Sequence, residues 1–180
     1  GSYRKAKELV DAGAIGKLVS LYGTCMGGKP FPEWQADEEG PMLHDAVHTF
    51  DLLRWFAGND VVATMGTARK RVHPWPVEDD TQAIFEFAGG VGAVALVNEL
   101  TRYADLTVLV HGTEGMLKLK DSGHELFTST QWGDVRDRVD PRIDWYRLEA
   151  EPFPEFDPGN PLLDAVADLV SCVRDGGEPA

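Results

Sequence analysis

Only two cysteines, Cys25 and Cys172, occur in 180 residues, far apart and without CxxC spacing. That usage argues against a disulfide framework or a thiolate zinc site, and each cysteine is expected to serve as a small buried apolar residue. Cations are also scarce, with 17 Lys and Arg against 30 Asp and Glu for a formal charge of -13. A surface of this sign repels phosphate backbones and anionic lipid, so neither nucleic acid nor membrane is expected as a partner. No apolar run reaches the roughly 20 residues that span a bilayer, and no charged-then-apolar leader opens the chain. A soluble, cytoplasmic protein is the expectation. Also missing is a glycine-rich loop that follows a strand and opens a helix. Gly89-Gly90-Val91-Gly92 has strand-like flanks on both sides and reads as a hairpin, so a dinucleotide has no recognisable cradle here.

What is present is enough for one core: 43% hydrophobic and 9% aromatic residues, read as a single domain over 1–180. Tyr3-Ala12 has Ala6, Leu9 and Val10 on one stripe, with Gly13 as its end. A strand over Ile15-Thr24 follows, and then a loop over Phe31-Gly40 carrying Trp34. Pro41 to Gly58 reads as one helix, with Leu43, Ala46, Val47, Phe50 and Leu53 at helical spacing, proline near its start and glycine at its end. Strand-like runs come next at Val61-Arg71, Thr81-Ala88, Val91-Leu100, Leu106-His111, Met116-Lys120 and Ile143-Ala150. Gly89-Gly90 and Gly112-Thr113-Glu114-Gly115 sit between them as hairpin turns do. A last helix starts at Asn160-Pro161 and carries Leu162, Leu163, Val166, Leu169, Val170 and Val173 as one apolar stripe, expected to pack on the sheet. Consecutive hairpins favour an α+β architecture: an open, mostly antiparallel sheet with helices on one face.

The chemistry concentrates in His44-Asp45-Ala46-Val47-His48. At about 100° per residue, His44, His48, Asp51 and Trp55 share a narrow stripe of the helix; Trp55 reads as core. A histidine there can be a packing residue, but two spaced four apart with a carboxylate one turn on point to a site. Two chemistries fit. In zinc hydrolases of the HExxH type, histidines at this spacing share a metal; here Asp45 replaces the glutamate and no third-ligand motif follows. Alternatively, histidine acts as general acid/base at a hydroxyl or carbonyl carbon, with hydride chemistry supplied by a nicotinamide held elsewhere. A non-catalytic interaction module is the third reading.

The order of these features resembles the C-terminal domain of the glucose-fructose oxidoreductase / inositol dehydrogenase / MocA family (Gfo/Idh/MocA). The likeness rests on Gly13-Ala14-Ile15-Gly16 between the first helix and strand, the Trp34 loop and the segment GPMLHDAVHTFDLLRWFAG. It continues in Val77-Glu78-Asp79-Asp80-Thr81, His111-Gly112-Thr113-Glu114-Gly115 and Asn160-Pro161-Leu162-Leu163. It implies an oxidoreductase acting on a carbohydrate-like small molecule, with NAD or NADP bound mainly by an N-terminal Rossmann domain absent from this chain. By the same resemblance His48 is the catalytic or substrate-binding histidine, followed by Asp51. His44 stands where many members have aspartate, with Asp45 beside it, and is retained as a catalytic candidate; Asp45, Asp51 and Trp34 are substrate-binding candidates. No metal ligand set is expected. Both ends look cut, since Gly1-Ser2 resembles a cloning remnant and the chain stops just past a helix. Ala83, Phe85, Phe87, Val94, Leu96 and Val108 are expected on the sheet face away from the helices, and that face is expected to pair face to face in a homodimer or larger homo-oligomer.

Overall fold

The computed structural model describes residues 1–28, 39–120, 122–131 and 146–177. Among these, helix α1 (Ser2–Asp11) leads into strand β1 (Leu18–Met26), followed by helices α2 (Pro41–His44) and α3 (Ala46–Ala57). Strands β2 (Val61–Arg69), β3 (Asp80–Phe87), β4 (Gly92–Asn98), β5 (Asp105–Gly112), β6 (Gly115–Lys120), β7 (Gly123–Gln131) and β8 (Tyr146–Glu151) come next, then helix α4 (Pro161–Asp175). The strands form one open eight-stranded sheet in the order β2-β3-β4-β1-β5-β6-β7-β8. Two antiparallel meanders, β2-β3-β4 and β5-β6-β7-β8, flank β1, which pairs antiparallel with β5 and parallel with β4. The expected α+β class and mostly antiparallel pairing are therefore found. Gly90 makes the expected tight turn: its φ is 79° and its N–H donates to Phe87 O at 2.8 Å. Strand β7 was not anticipated, because Glu125, Thr128, Ser129 and Thr130 dilute its apolar alternation; pairing with β6 and β8 supplies what propensity does not.

The expected single helix over 41–58 is divided at Asp45, whose backbone (φ -109°, ψ -35°) departs from helical values. There the His48 N–H reaches Asp45 O at 3.2 Å, an i to i+3 closure tighter than the α-helical one. The buried seam is also rotated by a residue or so from the one the apolar pattern suggests. Leu43 and Val47 are exposed, while Pro41, Asp45, Ala46, Thr49, Leu53 and Phe56 are buried. Strand β1 explains the rotation. Gly23 has no side chain, and a Cβ there would lie 2.5 Å from Thr49 Cγ2 and 3.5 Å from the Leu53 methyls. A small residue facing a glycine lets α3 settle closely across β1, β4 and β5, and close packing outweighs the larger but poorly fitting stripe.

Strand alternation then sorts every side chain to one of two faces. Gly23 shares the helix face with Leu21, Ala95, Ala93, Val108, Val110, Leu117 and Leu119, each at most 3% exposed. Four residues expected on the uncovered face, Ala83, Phe85, Phe87 and Val108, belong to this covered one, where Phe50 packs edge-on to Phe85 at 5.0 Å. Of the residues expected on the uncovered face, only Val94 and Leu96 lie on it, alongside Met65, Ile84, Tyr22 and Leu109. Helix α4 also differs from expectation. Its cap is as anticipated, with Asn160 Oδ1 accepting from the Leu163 N–H at 3.2 Å, but none of its residues is buried. Its whole apolar stripe, Leu162 to Val173, stands exposed. Cys25 and Cys172 are half-buried, not fully enclosed.

These placements predict a destabilising substitution and a neutral one. Gly23→Ala gains a little backbone rigidity but must push Thr49 off the strand, and overpacking of this kind costs about 1–3 kcal/mol. Val170→Ser on α4 is expected to stay within about 0.5 kcal/mol of the parent. Urea unfolding followed by circular dichroism measures both, and a Gly23→Ala variant as stable as the parent would show that α3 does not bear on β1 as described.

Candidate active site at the carboxyl end of the parallel pair

Parallel pairing gives the sheet one distinctive end. Met26 of β1 lies opposite Asn98 of β4, so two strand carboxyl termini open together, the kind of place where parallel sheets leave room for ligands. The Gly27 N–H donates to Asn98 O at 3.0 Å, and a Cβ on Gly28 would stand 2.7 Å from Thr101 O. The chain leaving β1 thus runs against the chain leaving β4. Helix α2 and the turn between β2 and β3 join them, because the Met42 N–H donates to Glu78 Oε1 at 3.1 Å.

That turn is organised by a buried carboxylate. Asp79, with no exposed surface, accepts the backbone N–H groups of Arg71, Val72 and His73 at 2.8, 2.7 and 2.8 Å. Its own N–H donates to Arg69 O at 2.9 Å and its carbonyl accepts from the Glu99 N–H at 3.1 Å. Burial alone would raise the Asp79 pKa. The three N–H donors and the nearby His73 outweigh it and hold the group below its ordinary value of 3.8. The His73 ring lies 2.8 Å from Glu99 O through Nε2 and stacks on Trp75 with centroids 3.9 Å apart and planes 10° from parallel. The sequence reading placed Asp79 in a likeness to a family but not in a site, and singled out neither His73 nor Trp75; the available signal was Glu78-Asp79-Asp80 following a basic, proline-containing turn.

The anticipated residues divide along this framework. His44 closes α2 and is half-buried, Asp45 is buried at the junction, and His48 stands exposed one turn into α3. Asp51 is exposed further along α3, where it lines a cleft of about 480 Å³ with Arg54, Trp55, Gly58, Asn59, Asp60 and Ala88. That cleft lies toward the end of α3 away from α2, so Asp51 is separated from His44 by nearly two turns. Trp55, expected in the core, is 40% exposed and packs edge-on to Phe56. A second cleft of about 560 Å³, lined by His124, Phe153 and Phe156 among others, involves none of the anticipated residues. Trp34 lies outside the described residues. Among those described, no group of three His, Cys, Asp or Glu side chains is placed to hold a metal ion.

The Asp79 turn makes a measurable prediction. Asp79→Asn keeps the size but presents one oxygen to three donors, and is expected to cost about 2–4 kcal/mol near neutral pH. With a folded-state pKa below the unfolded one, the carboxylate's contribution is present above 3.8 and lost as pH falls through the folded value. Unfolding curves of parent and variant, taken from about pH 7 down to about pH 2, should therefore converge at the acid end. A gap independent of pH would contradict the assignment.

Residues 3–118 match the family described as the GFO/IDH/MocA C-terminal domain. The scyllo-inositol 2-dehydrogenase (NAD(+)) of Bacillus subtilis is 26% identical over 133 residues, covering 71% of this chain and 39% of that protein. Levoglucosan dehydrogenase of Pseudarthrobacter phenanthrenivorans is 29% identical over 150 residues, covering 62% of this chain and 37% of that protein. The chain thus spans about two-fifths of the length of these curated relatives. Among solved structures, the WlbA dehydrogenase of Bordetella pertussis, in complex with NADH and UDP-GlcNAcA, superposes with a TM-score of 0.70 at 19% identity, over 98% of this chain and 51% of that one. That likeness shows the same fold, and the sequence match extends from α1 through most of β6. The chain belongs to the GFO/IDH/MocA family, whose C-terminal domain it carries.

Proposed function

We propose that the chain, as one domain, is the substrate-binding and dimerisation part of a cytoplasmic NAD(P)-dependent oxidoreductase acting on a sugar, polyol or related hydroxy or keto compound. The observation that carries this reading is the placement of His44 and His48 beside a tightly buried seam. The α2–α3 unit is pinned to the sheet through Thr49, Leu53 and Phe56, at 0–1% exposure, yet leaves His48 exposed and His44 half-buried. A rigid element that keeps imidazoles accessible is what proton transfer to or from a bound hydroxyl requires. His48 is assigned the general acid/base role and His44 a supporting one, with Asp51 and Trp34 as substrate contacts; Asp45, also expected to bind substrate, is buried at the α2–α3 junction and has little surface to offer it.

The Gly89-Gly90-Val91-Gly92 run does not form a dinucleotide cradle. The glycine turn at 88–92 joins two antiparallel strands, whereas a pyrophosphate site needs a strand, a glycine turn and a helix N-terminus. The cofactor is assigned mainly to a separate nucleotide-binding domain of the full-length protein, with this chain holding substrate and moving a proton. Two relatives named for scyllo-inositol and levoglucosan support the substrate class.

The uncovered sheet face supports pairing with a second copy. Met65, Ile84 and Val94 run across adjacent strands at 70%, 49% and 36% exposure, with half-buried Tyr22 and Leu109 continuing the row. A contiguous apolar row of this kind on a sheet marks a protein interface.

Two experiments test the reading. In the full-length protein, assayed with NAD or NADP and a panel of cyclic polyols and sugars, His48→Gln should lower kcat by about 10²–10⁴-fold without unfolding the protein. Unchanged turnover would reduce the chain to an interaction module. For assembly, light scattering at micromolar concentration should report at least two chains for the parent and one for Val94→Asp. A monomeric parent would remove the dimerisation role.

A further inference from the structure

We propose that Glu78 is the positioning residue of this site: its carboxylate replaces the missing N-cap side chain of α2 and so fixes His44. The functional half of the proposal rests on His44 being a substrate-facing residue; the structural half does not.

Helix α2 has four residues, too few to hold itself together. Its N-cap, Gly40, offers no side-chain acceptor, and Pro41 contributes no N–H. The first N–H needing a partner is that of Met42, and Glu78 Oε1 accepts it from 36 residues away in sequence. Such a carboxylate satisfies a donor that the helix itself leaves unpaired.

Two further observations make the arrangement specific. A Cβ added to Gly40 would fall inside the Glu78 carboxylate, so the glycine and the acid occupy one space between them. The N–H groups of Leu43 and His44 both donate to Gly40 O, at 3.0 and 3.1 Å, so movement of residue 40 is passed directly to His44. Glu78 in turn sits next to Asp79, whose side chain and backbone make five hydrogen bonds with the turn and the neighbouring strands. One path from buried Asp79 to His44 therefore runs through Glu78 and Gly40.

Nuclear magnetic resonance on the 180-residue chain provides the test. Glu78→Ala should raise amide hydrogen exchange at Met42 by roughly five- to tenfold, the effect of losing one cap. It should also shift the His44 ring Cε1–Hε1 signal, leaving that of His111 on β5 unaffected. Glu78→Gln, which keeps an acceptor oxygen, should restore both readouts. Gly40→Ala, with Glu78 intact, should reproduce the behaviour of Glu78→Ala by displacing the carboxylate, and serves if Glu78→Ala fails to fold. Unchanged Met42 exchange and His44 signals in the two alanine variants, or a Glu78→Gln variant indistinguishable from Glu78→Ala, overturns the proposal. Because none of these readouts uses turnover, a later finding that His44→Gln leaves catalysis intact would sink the role of His44 without touching the Glu78 contact.

Discussion

The contact on which the rest depends is that of Gly23 with Thr49 and Leu53. It seats α3 on the central strand without an intervening side chain, and it sets the rotation of the helix. That rotation decides which residues go into packing and which are left accessible. Turned by one residue, the helix would bury His48 or Val47 and expose Leu53. A side chain on residue 23 would lift α3, and burying a Leu or Phe is worth about 1.5–3 kcal/mol each, so Leu53 and Phe56 resist any such lift. The same contact leaves the Thr49 hydroxyl buried without a hydrogen-bond partner among the described residues. An unsatisfied hydroxyl costs about 1–3 kcal/mol, a penalty tolerated where closeness to β1 matters more.

From that seat the candidate site is built outward by backbone, not by side-chain clusters. Parallel pairing of β1 with β4 brings two carboxyl ends together, and the connections leaving them are tied by main-chain groups of Gly27, Asn98, Asp79 and Glu99. Asp79 does for the β2–β3 turn what Glu78 does for α2: an acid supplies acceptors where the backbone has donors left over. In a chain with 30 acidic residues, these two are distinguished by what they hold. Surface acids such as Asp11 and Asp60 pair with Lys7 and Arg54 and contribute little.

Legibility from sequence followed the range of the interactions involved. Local features were readable: the Gly90 hairpin, the Gly58 helix end and the Asn160 cap all stand where turn and cap chemistry put them. The antiparallel meanders followed from closely spaced strand runs. Features set by distant partners were not readable. The apolar count in 41–58 favoured Leu43 and Val47 as the packing stripe, but the small surface at Gly23 selected Thr49 instead. The apolar stripe of α4 implied a partner in this sheet, and no residue of that helix is buried. For the candidate site, His44 and His48 could be singled out because both lie on one short segment. Glu78 could not, because its role depends on a hydrogen bond to a residue 36 positions away.

Strand β1 serves two surfaces at once. On one face Gly23 receives α3; on the other, Tyr22 and Thr24 point toward the uncovered side, where Thr24 Oγ1 donates to Asp105 Oδ2 at 3.0 Å and accepts the Thr107 N–H at 3.2 Å. Burial, and then the Asp105 charge, raise the Tyr22 pKa above its ordinary value. A sheet is one layer thick, and adjacent residues of a strand cannot move independently because they share peptide bonds. Tyr22 and Gly23 are such neighbours, one on each face of β1. The proposed pairing surface and the helix that carries the proposed proton-transfer residue thus lie on opposite faces of one strand.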